Sequence, residues 1–402
     1  MADSRNTNKS HSPGWVLFAL AVGAFAIGTT EFATMSLLPY FAKDLGVDAP
    51  TAGQVISAYA LGVVVGAPVI TVLGARVPRR TMLIWLMAMF ALFNGLSAFA
   101  PSYGWMLVLR FLSGFPHGAY FGIGALVAVS LVPLNKRNQA VGRMFLGLTV
   151  ATIVGVPLAN WLGQSVGWRW GFALVAFTGA LTVLLLALLA PKVPAAPGSS
   201  PLRELGALKQ GQVWLTLSVG AIGFGGLFAV YTYLADTLMQ VTLASPEAVP
   251  VVLGIFGLGL TAGNIVVPKL ADHALMPTIG GILVWSAATT ALFSFTAPSL
   301  WGVSFTVFLI GIGGALGTIL QTRLMDIARN AQGLAAALNH SAFNFANALG
   351  PLLGGAAIAH GYGWASTGWV GSLLALGGLI LLLLSVWLDK RTGRRRQQGL
   401  AA

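Results

Sequence analysis

The stretch GWMLVLRFLSGFPHGAYFGIGALVAVSL, residues 104–131, encloses Arg110 and His117 in an otherwise apolar run. The run exceeds the ~20 residues that a helix needs to cross a bilayer. An arginine inside such a helix costs roughly 2.5–3.5 kcal/mol on insertion scales, so it normally faces protein or a water-filled cavity. Steps of four and seven residues nearly close whole helical turns, which puts Arg110, Gly114, His117 and Phe121 on one narrow arc. Gly114, Gly118 and Gly122 recur alongside at four-residue spacing, a pattern that lets helices approach closely. The competing reading is an arginine snorkelling to the membrane surface, since it lies only about 9 Å from the helix start at 1.5 Å per residue. The rarity of charge in such places favours a buried, functional arginine.

The chain of 402 residues is 56% hydrophobic and only 8% charged. A soluble domain carries about 25% charged residues, so this is an integral membrane protein. The net charge of +12 does not point to nucleic acid, because the basic residues punctuate apolar runs and form no continuous basic face. The absence of cysteine excludes disulfides and thiolate metal sites, and nothing in the sequence calls for a metal or cofactor.

Twelve apolar runs are long enough to span, giving an all-α membrane protein. The expected organisation is a disordered N-terminus (1–14), a six-helix bundle (15–190), a linker (191–211), a second six-helix bundle (212–389) and a basic tail (390–402). The linker is rich in Pro, Gly and Ser, and the tail reads as a membrane-surface anchor. With the N-terminus inside, 19 of the 22 Lys and Arg fall on the cytoplasmic side, against only Lys43 and Arg169 outside. That bias predicts both termini in the cytoplasm. The halves also resemble each other. Gly155-Val156-Pro157-Leu158 answers to Gly350-Pro351-Leu352, and Gly167-Trp168 to Gly363-Trp364, which suggests parallel repeats.

Polar groups inside the spans are the candidate functional residues. Glu31, in GTTEFATMSLLP, sits about 13 Å from the outer end of the first span, near the depth of Arg110. Burial and a nearby cation act on such a carboxylate in opposite senses, and a group held between them loads and releases a proton. The alternative is a glutamate that merely pairs with Arg110 to hold two helices together. His117 joins these two as a candidate coupling residue. In the eleventh span His340, Asn344, Asn347 and Pro351 share one helix face. This face either lines an aqueous cavity or makes interhelical hydrogen bonds, worth about 0.6 kcal/mol each. Tyr59, Tyr231 and Tyr233 complete the candidate cavity, although aromatic residues near span ends more often form the interfacial belt. Spans 3, 6, 9 and 12 carry no ionisable residue in their middles and read as peripheral scaffold. Span 5, with Gly147, Ala151, Gly155 and Ala159 at four-residue spacing and Pro157 among them, predicts a bent helix packed closely against a neighbour across the two halves.

At these residues the sequence resembles the major facilitator superfamily, in particular its drug:proton antiporter branch of arabinose-efflux-type, sugar and drug efflux permeases. The resemblance covers nearly the whole chain and is carried by GTTEFATMSLLP (28–39), SAYALGVVVGAP (57–68), RFLSGFPHGAYFG (110–122) and GLTVATIVGVPLANWLG (147–163). The family's fourth-helix arginine motif matches Arg110 and Gly114. Its fifth-helix antiporter motif matches Gly147, Gly155 and Pro157, without the usual Gly-Pro adjacency, and its first-helix acid matches Glu31. In the loop between spans 2 and 3, Arg76, Arg79 and Arg80 match the basic positions, but Ala75 replaces the acid and Pro78 a glycine. Asp272 keeps the acid in the second repeat, so the charge latch implied by the family is weakened on one side.

The resemblance implies two six-helix pseudo-repeat halves and proton-coupled efflux of a small organic solute, a drug or sugar, by alternating access. The expected protein is a monomeric transporter in the bacterial inner membrane, working with protons and a small-molecule substrate. No phosphate-binding G-x-x-x-x-G-K-[ST] occurs, and a membrane enzyme would need paired carboxylates or metal ligands beyond the lone deep Glu31. Uptake is the alternative direction, and a non-transporting sensor of the same fold is the other rival.

Overall fold

The computed structural model describes residues 12–74, 77–133, 137–191, 208–328 and 332–399. Among them are twelve helices long and apolar enough to cross a membrane. They are α1 (Pro13–Ser36), α2 (Ala49–Thr71), α3 (Arg79–Ala98), α4 (Tyr103–Ala128), α5 (Gly142–Ser165) and α6 (Trp168–Leu189), followed by α7 (Gly211–Thr232), α8 (Ala248–Ala271), α9 (Leu275–Thr296), α10 (Leu300–Leu324), α11 (Ala337–Tyr362) and α12 (Ser366–Asp389). No strand occurs among the described residues. Short helices, Leu38–Asp44 and Leu234–Gln240, continue α1 and α7 past their spans. Most of the expected linker, residues 192–207, lies outside the described residues, as do 1–11 of the N-terminus. The last helix runs unbroken to Gly399, so residues 390–399 of the expected tail extend α12 as helix.

Small residues set the helix contacts, and they do so twice. In the first six helices a Cβ on Gly62, Gly66 or Gly114 would lie 2.0, 2.4 or 2.1 Å from the carbonyl oxygens of Phe111, Phe115 and Tyr59. These glycines lock α2 against α4 with backbones nearly touching. In the last six, Gly259, Gly263 and Gly311 stand in the same relation to the carbonyls of Phe308, Ile312 and Phe256, locking α8 against α10. Every one of these six pairs of positions is 197 residues apart, from Gly62/Gly259 to Tyr59/Phe256. The turns before α6 and α12 match too: Gly167 and Gly363 adopt φ of +113° and +77°, a region L side chains enter only with strain.

Burial divides the molecule by its ends. Near the end that carries the termini, the first six helices enclose one core (Leu17, Leu86, Phe90, Met144) and the last six enclose others (Ile279, Leu283, Ile319; Val213, Leu324). At the opposite end a single core is shared. It joins Phe32, Met35 and Val55 of the first six helices to Phe228, Val252 and Phe256 of the last six. Ser57 of α2 donates to the Ala348 carbonyl of α11 at 2.9 Å, and Gln164 reaches the Pro246 carbonyl at 2.9 Å. The two sets of helices are thus sealed together at the end away from the termini.

Candidate functional site

Neighbouring residues on a helix point about 100° apart, and α1 uses that turn to serve two partners. Thr30 faces α3 and α4. Its hydroxyl accepts from Arg110 Nη1 at 2.9 Å and donates to Asn94 Oδ1 at 2.7 Å, while Arg110 Nη1 also donates to Asn94 Oδ1 at 3.0 Å. Asn94 is held in turn by its Nδ2, which donates to the Phe90 carbonyl at 2.9 Å. Arg110 is 1% exposed, with its guanidinium carbon 4.3 Å from the centre of the Tyr59 ring and 5.4 Å from that of Phe172. A guanidinium over an aromatic face is stabilised by the ring quadrupole, more so when desolvated. The Tyr59 hydroxyl lies 2.9 Å from Nδ1 of the buried His117. Tyr59 therefore bridges the arginine and the histidine that share one face of α4.

Glu31, one residue on, turns to the second half. It is only partly buried, and its Oε1 accepts from Asn347 Nδ2 of α11 at 3.3 Å. The ion pair of the alternative reading, Glu31 with Arg110, is not formed: among the described residues no ion pair within 4.0 Å joins them. The physical reason is the helical turn, which gives the arginine to Thr30 and Asn94. Hydrogen-bonding capacity is left over on the helices around the carboxylate. The buried Tyr231 hydroxyl, Thr29 hydroxyl and the Oδ1 atoms of Asn344 and Asn347 have no partner among the described residues. Asn344 spends its amide nitrogen on the His340 carbonyl at 3.0 Å.

Toward the termini, the halves meet through rings. His340 of α11 stacks on Phe121 of α4 at 5.4 Å with planes 6° apart, and lies 6.3 Å from Phe145 of α5. The His117 and His340 ring centres are 6.5 Å apart. Toward the other end, Tyr231 sits edge-on to Phe32 at 5.4 Å and 4.2 Å from Phe256.

Some expectations need correction. Tyr233, placed in the cavity by its sequence neighbourhood, instead donates to the Pro351 carbonyl at 2.9 Å. Its hydroxyl fills the notches of Gly53 and Gly355, where a Cβ would lie 2.2 and 2.4 Å away. The small residues of α5 do not pack across the halves. Gly147 meets the Ala21 carbonyl and Gly155 the Thr29 hydroxyl, both on α1. The contact across the halves is made by the next face of α5, where the backbone of Thr152 lies 2.8 Å from a Cβ on Gly257 of α8. α5 carries a π turn, Ala151–Gly155, two residues before Pro157, whose missing N–H accommodates the widened ladder. The scaffold helices are not plain either. Asn94 of α3 and Phe172 of α6 both touch the Arg110 site, and an asparagine within the apolar run FALFNGLSA was the visible signal.

In the loop motif, Arg79 donates to the Leu126 carbonyl at 3.4 Å and Arg80 to the Ala187 carbonyl, fastening the start of α3 to the ends of α4 and α6. Arg76 and the side chain of Asp272 lie outside the described residues.

Comparison with known proteins adds the following. The sequence model of the Major Facilitator Superfamily matches residues 20–278 and 236–400. The chain is 42% identical over 369 residues to the inner membrane transport protein YdhP of Escherichia coli K12, covering 92% of this chain and 94% of that one. It is 30% identical to the putative transporter AraJ of the same organism, covering 92% and 94%, and 32% identical to a chloramphenicol resistance protein of Streptomyces lividans, covering 94% and 96%. Among solved structures, the nucleoside transporter NupG superposes with a TM-score of 0.71 at 14% identity, covering 92% and 99%. The human organic anion transporter MFSD10 gives 0.69 at 15%, with the same coverages.

Proposed function

The chain belongs to the major facilitator superfamily and is a transporter, not an enzyme, and from that premise we propose that it exports a small organic solute in exchange for protons. The observation that carries this reading is Glu31. It is a partly exposed carboxylate inside a span, tied across the halves by Asn347 and backed by a buried arginine without a carboxylate partner. Intramembrane carboxylates with this surrounding are costly and serve proton or substrate movement. Loading Glu31 with a proton weakens its claim on the Asn347 amide, since a charged acceptor holds a donor about twice as strongly as a neutral one. Proton binding thereby loosens a tie between the halves, and rocking of one half on the other carries the solute across.

The export direction and the sugar or drug class rest on relatives named for sugar efflux and chloramphenicol resistance. Among the described residues Arg79, Arg80, Arg143, Lys209, Lys269 and Arg323 stand near the end that carries the termini, which supports an inner-membrane protein with both termini cytoplasmic. The test is transport by the purified chain in proteoliposomes with an imposed pH gradient, using labelled chloramphenicol and labelled arabinose as probes. Accumulation of either probe that collapses when a protonophore removes the gradient is the expected result. Accumulation indifferent to the gradient, or movement of neither probe, overturns it.

A further inference from the structure

Span α7 ends at Thr232, and four residues beyond it Asp236 stands on the short helix Leu234–Gln240. It is a carboxylate 6% exposed, and its Oδ2 has no hydrogen-bond partner among the described residues. No cation of the described residues pairs with it. Its flanking residues Leu234, Ala235 and Leu238 belong to the core that seals the two halves together away from the termini. The helix that carries it packs on Leu38–Asp44 and on α1, both of the first half. Asp236 therefore lies inside the seal, contributed by one half and covered by the other.

The groups around it are neutral or engaged elsewhere. From Leu38–Asp44 the neutral titratable group is Tyr40, and from its own segment Tyr233, whose hydroxyl is spent on the Pro351 carbonyl. Lys43 and Asp44 on the same covering helix are exposed, and Asp44 is committed to Arg169 and Trp168. Asp48 is exposed and bound by the Thr51 amide at 2.9 Å. From α1, Glu31 is held by Asn347. An unpaired charge is far costlier to bury than a neutral acid. The sealed arrangement thus suits the protonated carboxyl, and parting the halves at this end, which admits water, suits the ionised one.

We propose that Asp236 is a second proton-binding site, one that takes up a proton from the compartment opposite the termini as the halves close over it and releases that proton there as they part. The step moves a proton from hydronium to the carboxylate and leaves water; no bond to carbon changes. Its place in the transport cycle rests on the coupling proposed above, but the closure of the seal does not, and the two are measured separately.

The chain has no cysteine, so a single thiol reports the seal without background. Val55→Cys places it in the shared core, where Val55 is 0% exposed, and Gln54→Cys places a control on the adjoining exposed position. Labelling of the purified full-length protein by a water-soluble thiol reagent is read as the ratio of the two rates, divided by the same ratio in the Asp236→Asn background, which carries the same buried thiol and so removes its own titration. The corrected ratio should rise several-fold from about pH 5 to about pH 9, the range in which a buried acid titrates. Adding Glu31→Gln to both backgrounds should leave the rise intact. A flat uncorrected ratio in the parent overturns the proposal without recourse to any variant at Asp236. So does a corrected ratio that stays flat, or a rise abolished by Glu31→Gln.

Discussion

At the scale of single residues, the arginine is the decisive group because its partners are neutral. Thr30 and Asn94 satisfy Nη1 without cancelling its charge, so the positive field remains available to Glu31 and to the Tyr59 ring. Asn94→Leu removes one of those two acceptors and leaves the Thr30 hydroxyl without its own. Hydrogen bonds to charged groups are worth about 1.5–3 kcal/mol, so this substitution should destabilise by that amount. Thermal unfolding in detergent measures it. A loss under about 0.5 kcal/mol, as for an ordinary surface change, would mean that Asn94 is scaffold after all. The buried arginine was legible in the sequence, since charge inside a span announces itself. Its partner was not, because Asn94 is an amide and carries no charge to mark it within an apolar span. Nor does a sequence say which of two adjacent side chains, Thr30 or Glu31, meets the neighbouring helix. That depends on how α1 is rotated against α4.

At the scale of helices, glycine spacing foretold close packing but not which glycines do it. Gly114, Gly118 and Gly122 form one stripe in the sequence. In the structure a Cβ on Gly114 would lie 2.1 Å from the Tyr59 carbonyl, while nothing stands within 4 Å of one on Gly122. Gly114→Ala should therefore force α2 and α4 apart, an overpacking cost of about 1–3 kcal/mol. Gly122→Ala should stabilise by about 0.4–1 kcal/mol by stiffening the unfolded chain. Melting temperatures of the two variants should move in opposite directions, and equal effects would refute the asymmetry. The neighbour of α5 follows the same rule. A small-residue stripe marks a close contact, and only the fold says that this one is with α1.

The short helix Leu38–Asp44 offers a test by pH. Hydrogen bonds from Arg169, then Trp168, hold the Asp44 carboxyl below the usual carboxylate range. A depressed folded value contributes stability that is present at neutral pH and is lost as pH falls through that value. Both side chains are exposed, so the contribution is about 0–1 kcal/mol. Asp44→Asn should lower the melting temperature slightly at neutral pH and make no difference once the carboxyl is protonated. A deficit that persists in acid would point to lost packing rather than lost charge.

At the scale of the whole molecule, twelve spans and their short connections follow from hydropathy alone, because a bilayer leaves the backbone no other arrangement. The repeat was visible as a few matched words, and the glycine seams 197 residues apart give those words a structural meaning. Which end is sealed was not readable. The shared core draws Phe32, Tyr231 and Phe256 from distant parts of the chain, and each looks like any other lipid-facing aromatic until the halves are assembled. With one end sealed and separate cores at the other, Glu31 sits at the boundary where movement between the halves is felt. On this reading the carboxylate links that movement to protons. That link is tested most directly by placing the parent and Glu31→Gln in proteoliposomes under the same pH gradient and measuring accumulation of whichever probe the parent carries. Glutamine keeps the size and the hydrogen bond to Asn347 but cannot titrate. The parent should concentrate the probe above equilibrium, while the variant should only equilibrate it down its own gradient; uphill accumulation by Glu31→Gln would mean that Glu31 is not the proton carrier.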